Sequence, residues 1–212
     1  MSAVIDSIKE SATPSGFYLD ERFPILLKIN TKAWTDDEYF NFCQQNQDLQ
    51  IETDKNGDLI IMPPTGAETG DRNAELTTQL RIWAKKDGTG KTFDSNTEFK
   101  LPNGANKSPD ASWILKERYN ALTQKEREGF PPICPDFVVE LRSKTDRLKP
   151  IQDKMQEFIE NGARLGWLID PYKKQVHIYR RNGEIEILEN PKTVSGEDVL
   201  EGFELDLEEI FT

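Results

Sequence analysis

Histidine occurs once in these 212 residues, at His177, and cysteine twice, at Cys43 and Cys134. A lone imidazole in what reads as a closing hairpin supports neither an H-E-x-x-H zinc site nor a Ser-His-Asp triad. The two cysteines form no C-x-x-C pair, and the expectation is two reduced thiols in the core. Long apolar runs are missing as well. Nothing approaches the roughly 20 consecutive apolar residues of a membrane-spanning helix, and Met1 to Glu10 has neither the basic start nor the apolar core of a secretion signal. A cytoplasmic protein with no membrane partner is expected. Basic residues are outnumbered 27 to 38, and the net charge of −11 counts against a role in coating nucleic acid by counterion release. It does not count against a site for a hard cation, which requires clustered carboxylates.

What the chain does contain is 36% hydrophobic residues gathered into short runs, enough for one buried core in a single domain over residues 21–212. Residues 1–20 lack sustained periodicity and read as a mobile N-terminal arm. Thr35-Asp-Asp-Glu38 is a capping box, so a helix is expected to run from there towards Gln45. Leu49 to Thr53 and Leu59 to Met62 flank Asn56-Gly57, the pattern of a β-hairpin. Leu76, Leu80, Trp83 and Ala84 recur at helical spacing, and that helix, which carries Glu75, ends near Asp87. Strand-like runs follow at Thr92 to Phe93, Glu98 to Leu101 and Ala111 to Leu115, with Pro102-Asn103-Gly104 as a turn between the last two. Lys116 to Gly129 reads as a weakly packed helical insertion. Asp136 to Arg142 alternates as a strand, Leu148 to Asn161 has a helical apolar stripe, Leu165 to Ile169 is a short apolar strand, and Val176 to Leu188 forms a hairpin around Asn182-Gly183. The acidic tail still holds Phe203, Leu205, Leu207, Ile210 and Phe211, so it is expected to dock. The four tryptophans are assigned to the core.

Two carboxylates stand at telling places. Asp110 begins the strand Ala111 to Leu115 and points away from its Ala111, Trp113 and Leu115 face; Glu140 likewise points away from Phe137, Val139 and Leu141. If the two strands are neighbours, one carboxylate from each meets a single hard cation, with the Leu141 carbonyl and water completing its shell. Such a cation offsets charge on a phosphodiester and acidifies water. Arg142, on the Glu140 face, and Lys154, beside the buried Met155 on the next helix, are the candidate cationic groups. Arg142 is fitted to hold phosphate, and Lys154 to hold phosphate or orient water.

Ser108-Pro109-Asp110, Pro135-Asp-Phe-Val-Val-Glu-Leu-Arg-Ser143, Lys154-Met-Gln-Glu-Phe158 and Gly166-Trp-Leu-Ile-Asp-Pro171 together resemble the Uma-two family, described as restriction endonucleases of the PD-(D/E)xK nuclease superfamily. The resemblance covers roughly Trp34 to Leu188. It implies an α/β (α+β), restriction-endonuclease-like fold: a four-stranded mixed central sheet flanked by helices, here with extra N-terminal and C-terminal hairpins. It implies Mg²⁺, or Mn²⁺, on Asp110 and Glu140, Glu75 as the acidic residue of the first core helix, and Lys154 as the helix lysine. Arg142 stands where the superfamily has lysine, and Phe158 where a tyrosine is expected four residues after Lys154.

The blander readings are specific too. Pro-Asp pairs open turns and strands, and Pro135-Asp136 is read as structural because Asp136 lies about 13 Å along the strand from Glu140. Glu75 also fits a solvated helix face. Lys144 is read as a surface lysine preceding a helix cap at Asp146. Two functions follow: a Mg²⁺-dependent endonuclease acting on DNA, suited to a homodimer with one site per strand, or a non-catalytic nucleic-acid- or protein-binding module that keeps the fold.

Overall fold

The computed structural model describes residues 25–29 and 31–212; the arm expected at residues 1–20 lies outside them. After the short strand β1 (Ile25–Leu27), the Thr35 capping box forms as read. The Glu38 backbone N–H donates to Thr35 Oγ1 at 3.2 Å and the Thr35 N–H to Glu38 Oε2 at 2.7 Å, so two otherwise orphaned donors at the start of α1 (Asp36–Gln45) are satisfied. The expected hairpin is β2 (Gln50–Thr53) and β3 (Leu59–Met62), with Gly57 in the left-handed region its turn requires. Helix α2 (Ala67–Asp87) ends on Gly88, also left-handed, whose N–H bonds back to Ala84.

The strands that follow differ from the sequence expectation in one respect. β4 (Gly90–Asp94) and β7 (Ala111–Leu115) pair directly. The turn at Pro102 to Gly104 instead joins β5 (Phe99–Lys100) to a two-residue strand, β6 (Asn106–Lys107), which pairs with β2 in a separate sheet of order β1-β3-β2-β6-β5. β6 has no apolar residue to signal it. It is held by polar bonds, the Asn106 N–H and side chain both donating to Thr53 Oγ1 at 3.0 Å.

Two short helices, α3 (Lys116–Asn120) and α4 (Gln124–Glu128), form the insertion, and it is tied in more firmly than expected. Arg118 reaches Asp136 at 2.8 Å, and Tyr119 and Leu122 pack on a core cluster. Asp136 also accepts the Leu115 N–H at 2.9 Å, a structural role as read. β8 (Phe137–Leu141), α5 (Leu148–Glu160), β9 (Leu165–Asp170), β10 (Gln175–Arg180), β11 (Ile185–Glu189) and a small ribbon of β12 (Thr193–Ser195) and β13 (Glu204–Asp206) complete the chain. Asp146 does not cap α5. Its carboxylate accepts the Ser143 N–H at 2.8 Å and closes a turn, while Arg147 holds the cap position without a side-chain bond.

The main sheet has the order β11-β10-β9-β8-β7-β4. The resemblance implies four strands; the hairpin β10–β11 extends the β4-β7-β8-β9 set to six. Only β8 and β9 are parallel, joined by α5 as crossover, which makes the sheet mixed. All five residues of β8 are buried, as expected of a strand covered on both faces. Phe137, Val139 and Leu141 meet α2 and the docked tail, including Phe203, Leu207 and Ile210; Val138 and Leu168 meet Met155 and Phe158 of α5. Trp113 and Trp167 are fully buried, and Trp83 packs at the edge of the same cluster. Cys43 and Cys134 are unpaired thiols.

Candidate active site

The β7–β8 register pairs Ala111 with Val139, so one step further Asp110 stands opposite Glu140 at the ends of adjacent strands. The condition set by the sequence pattern, that the two strands be neighbours, is met. Asp110 Oδ2 accepts the Leu141 N–H at 2.7 Å, which brings the Leu141 backbone against it, and Oδ1 accepts from Asn73 Nδ2 at 3.3 Å. Glu140 lies on the α5 side of the sheet with Val138 and Leu168, and there Lys154 Nζ stands 2.9 Å from Glu140 Oε1. That contact is close but lacks hydrogen-bond geometry, leaving Oε1 buried and without a hydrogen-bond partner.

Lys154 has two further partners. Its ammonium donates to the Ser108 carbonyl at 2.9 Å and lies 2.8 Å from Glu52 Oε1. Glu52, on β2, is 2% exposed; it also accepts the Ser108 N–H at 3.0 Å and faces Lys107 at 3.3 Å. Nearby, buried Glu98 accepts from the Tyr39 hydroxyl at 2.8 Å. Four carboxylates (Glu52, Glu98, Asp110 and Glu140) thus surround two ammonium groups (Lys107 and Lys154) that interact with them. The titration directions follow from burial set against these charges. Burial pushes Glu140 up to about 8 against the pull of Lys154, with the charges of Asp110 and Glu52 adding to the rise. Burial raises Asp110 too, opposed by the Leu141 N–H and Lys154. Glu52 goes the other way: burial would raise it, but Lys154 and Lys107 hold it below the usual carboxylate value. Burial would lower Lys154, and Glu140 and Glu52 outweigh it, keeping the ammonium charged.

Asp110, Glu140 and Lys154 are therefore brought together, while Leu141 meets Asp110 through its N–H and not through the carbonyl expected to face a cation. Arg142 and Glu75 are directed elsewhere. The Arg142 guanidinium bonds Asp170 Oδ2 at 2.9 Å and the Asp146 carbonyl at 3.2 Å, and lies over the Tyr172 ring. Glu75 accepts from Gln79, whose side chain also holds the Asp206 backbone, so this stretch of α2 faces the C-terminal ribbon. The α2 residue that touches Asp110 is Asn73. The sequence pattern also passed over Glu52, Lys107 and Glu98. Ile51, Glu52 and Thr53 are all buried, so alternation does not mark Glu52 as internal. The one available signal was Ser108, next to Pro109-Asp110, whose backbone meets both Glu52 and Lys154.

The donor set suits a hard divalent cation. Two carboxylates offer oxygen, one of them with a buried oxygen lacking a hydrogen bond. Among the described residues no three His, Cys, Asp or Glu side chains converge as ligands. Mg²⁺ commonly keeps water in its shell and takes one or two carboxylates, the number that Asp110 and Glu140 offer.

A family model described as "Uma2: Putative restriction endonuclease" matches residues 36–208. The chain belongs to this family. The Uma2 match spans Asp110, Glu140, Leu141 and Lys154, and also Glu52 and Lys107. A solved structure titled a "putative nuclease belonging to DUF820", from Anabaena variabilis ATCC 29413, superposes with a TM-score of 0.67 at 20% identity, covering 84% of this chain and 97% of that one. At that identity the likeness speaks for the fold, which is restriction-endonuclease-like. No curated protein matches the chain. Among the described residues no helix is long and apolar enough to cross a membrane.

Proposed function

We propose that this Uma2 protein is a Mg²⁺-dependent endonuclease that hydrolyses DNA phosphodiester bonds. The family description and the nuclease title of the structural neighbour support a nuclease, and the observation that carries the finer reading is the pairing of Asp110 with Glu140 beside the Lys154 ammonium. Asp110, Glu140 and the Leu141 carbonyl would hold Mg²⁺. When bound, the ion supplies charge neutralisation for the phosphodiester and a more acidic water. The chain's own groups do the rest. The Leu141 and Asn73 donors fix the Asp110 carboxylate, and Lys154, charged and anchored on Ser108, presents a cation to phosphate or orients the attacking water. A two-fold homodimer would set one such site on each strand of a duplex.

Arg142 favours a second reading. At the position of the motif lysine its guanidinium is bound to Asp170, so no second cation from β8 serves the site, and a module that binds without cutting is consistent with that. One experiment separates the two. Mg²⁺ or Mn²⁺ is titrated by calorimetry into wild type and Asp110→Ala, and the same samples are incubated with supercoiled and single-stranded DNA. The nuclease reading expects wild type to bind and cut and the variant to do neither. Binding without cutting favours the module, and absence of binding removes the metal centre.

A further inference from the structure

The helix lysine of the site has an anchor in another sheet. Lys154 Nζ donates to the Ser108 carbonyl at 2.9 Å and stands in ion-pair contact with both Glu52 Oε1, at 2.8 Å, and Glu140 Oε1, at 2.9 Å. Glu52 can hold the lysine because it is itself fixed, by the Ser108 N–H at 3.0 Å and Lys107 at 3.3 Å, on a strand paired along its length with β3. The ammonium is thus shared between two carboxylates at nearly equal distance, with its hydrogen bond to the Ser108 carbonyl as a third contact. In a buried setting the pull of either carboxylate on the ammonium is far steeper than in water. Were the Glu52 charge removed, Glu140 would be the remaining anion within reach.

We propose that Glu52 is a positioning residue, which keeps the Lys154 ammonium from closing a full ion pair with Glu140 and so leaves the Glu140 carboxylate available to a divalent cation. The inference rests on the metal-centre reading above. It gives the sheet built from β2 and β6 a part in the site: its strands supply the carboxylate that holds the helix lysine, and Lys107 that helps hold the carboxylate.

The test is a double-mutant cycle read by Mn²⁺ binding, in the full chain, with wild type, Glu52→Gln, Lys154→Met and the double variant. Glutamine keeps the size of Glu52 and the acceptor for the Ser108 N–H while removing the charge, and a denaturation curve for each variant reports that it is folded. Glu52→Asp, which retains the charge but withdraws it by one methylene, is used in the same cycle should the glutamine variant not fold. Glu52→Gln should weaken Mn²⁺ binding at least about tenfold in the wild-type background and change it by less than about twofold when Lys154 is already methionine. The contrast matters because a simple loss of negative charge, or a general loosening of the fold, acts with or without Lys154. An equal loss in both backgrounds, or no loss in either, overturns the positioning role. Failure of wild type to bind Mn²⁺ is a separate outcome, which overturns the metal centre itself.

Discussion

Glu98 shows what burial costs a carboxylate even with two lysines in reach. Burial raises it to about 8, partly opposed by the Tyr39 hydrogen bond, while Glu52 adds to the rise. An acid whose folded value is raised contributes its full share of stability below the unfolded value of 4.5 and loses it as pH rises through about 8, because the folded protein holds a proton the unfolded chain has released. Wild type should therefore lose on the order of 3–5 kcal/mol between about pH 5 and about pH 9 from this residue. Glu98→Gln, unable to ionise, should show a flatter pH profile and be the more stable protein at the alkaline end. Urea denaturation across that range checks it; parallel profiles for the two proteins would mean that Glu98 is solvated or paired when charged. The same physics explains which site residues could be read in the sequence. Asp110 and Glu140 were visible because each stands off the apolar face of a strongly patterned strand. Glu98 and Glu52 were not, since one adjoins and the other lies on the second sheet, and their burial depends on how that sheet packs against the rest of the molecule.

At the scale of elements, legibility followed the apolar pattern and the turn chemistry. The Thr35 capping box, the Gly57 and Gly183 hairpins and the apolar stripe of α5 each carry a local signal, and each element lies where that signal put it. β6 carries none, being an asparagine and a lysine held by Thr53 and Glu52, so its pairing and the site role of Lys107 stayed hidden. The position of Arg142 was legible but not its engagement with Asp170, since that bond joins the end of β8 to the end of β9. Where elements meet closely, small residues matter. A Cβ added at Gly90 would fall 2.0 to 2.3 Å from three atoms of the Trp113 indole, which cannot yield because the ring is buried between α2 and the sheet. Gly90→Ala should lose about 1–3 kcal/mol of stability. As Gly90 pairs with Leu115, the strand that begins after Asp110 would be disturbed from its far end. A chemical denaturation midpoint unchanged from wild type would show that β4 can shift without cost.

For the whole molecule, a net charge of −11 sets how a phosphodiester would approach on the proposed nuclease reading. At physiological salt the Debye length is about 8 Å, so distant carboxylates are screened and the balance at the site decides binding. There two lysines meet four carboxylates, of which burial raises Glu98 and Glu140 to about 8, so the site carries little net charge of its own to draw in phosphate. On the proposed reading a divalent cation would add positive charge there, and metal binding would be the condition for substrate binding as well as for cleavage. DNA affinity measured by fluorescence anisotropy should therefore be weak in chelator and emerge with Ca²⁺, a hard cation that accepts the same oxygen donors. It should also fall far less steeply with salt than for a basic protein. Six to ten phosphate contacts lose about 10³–10⁵ in affinity between roughly 50 and 200 mM salt, whereas one or two cationic side chains beside a metal should lose about tenfold or less. Tight binding in chelator with a steep salt slope would place the DNA on a basic surface away from Asp110 and Glu140, and would favour the non-cutting module over the nuclease.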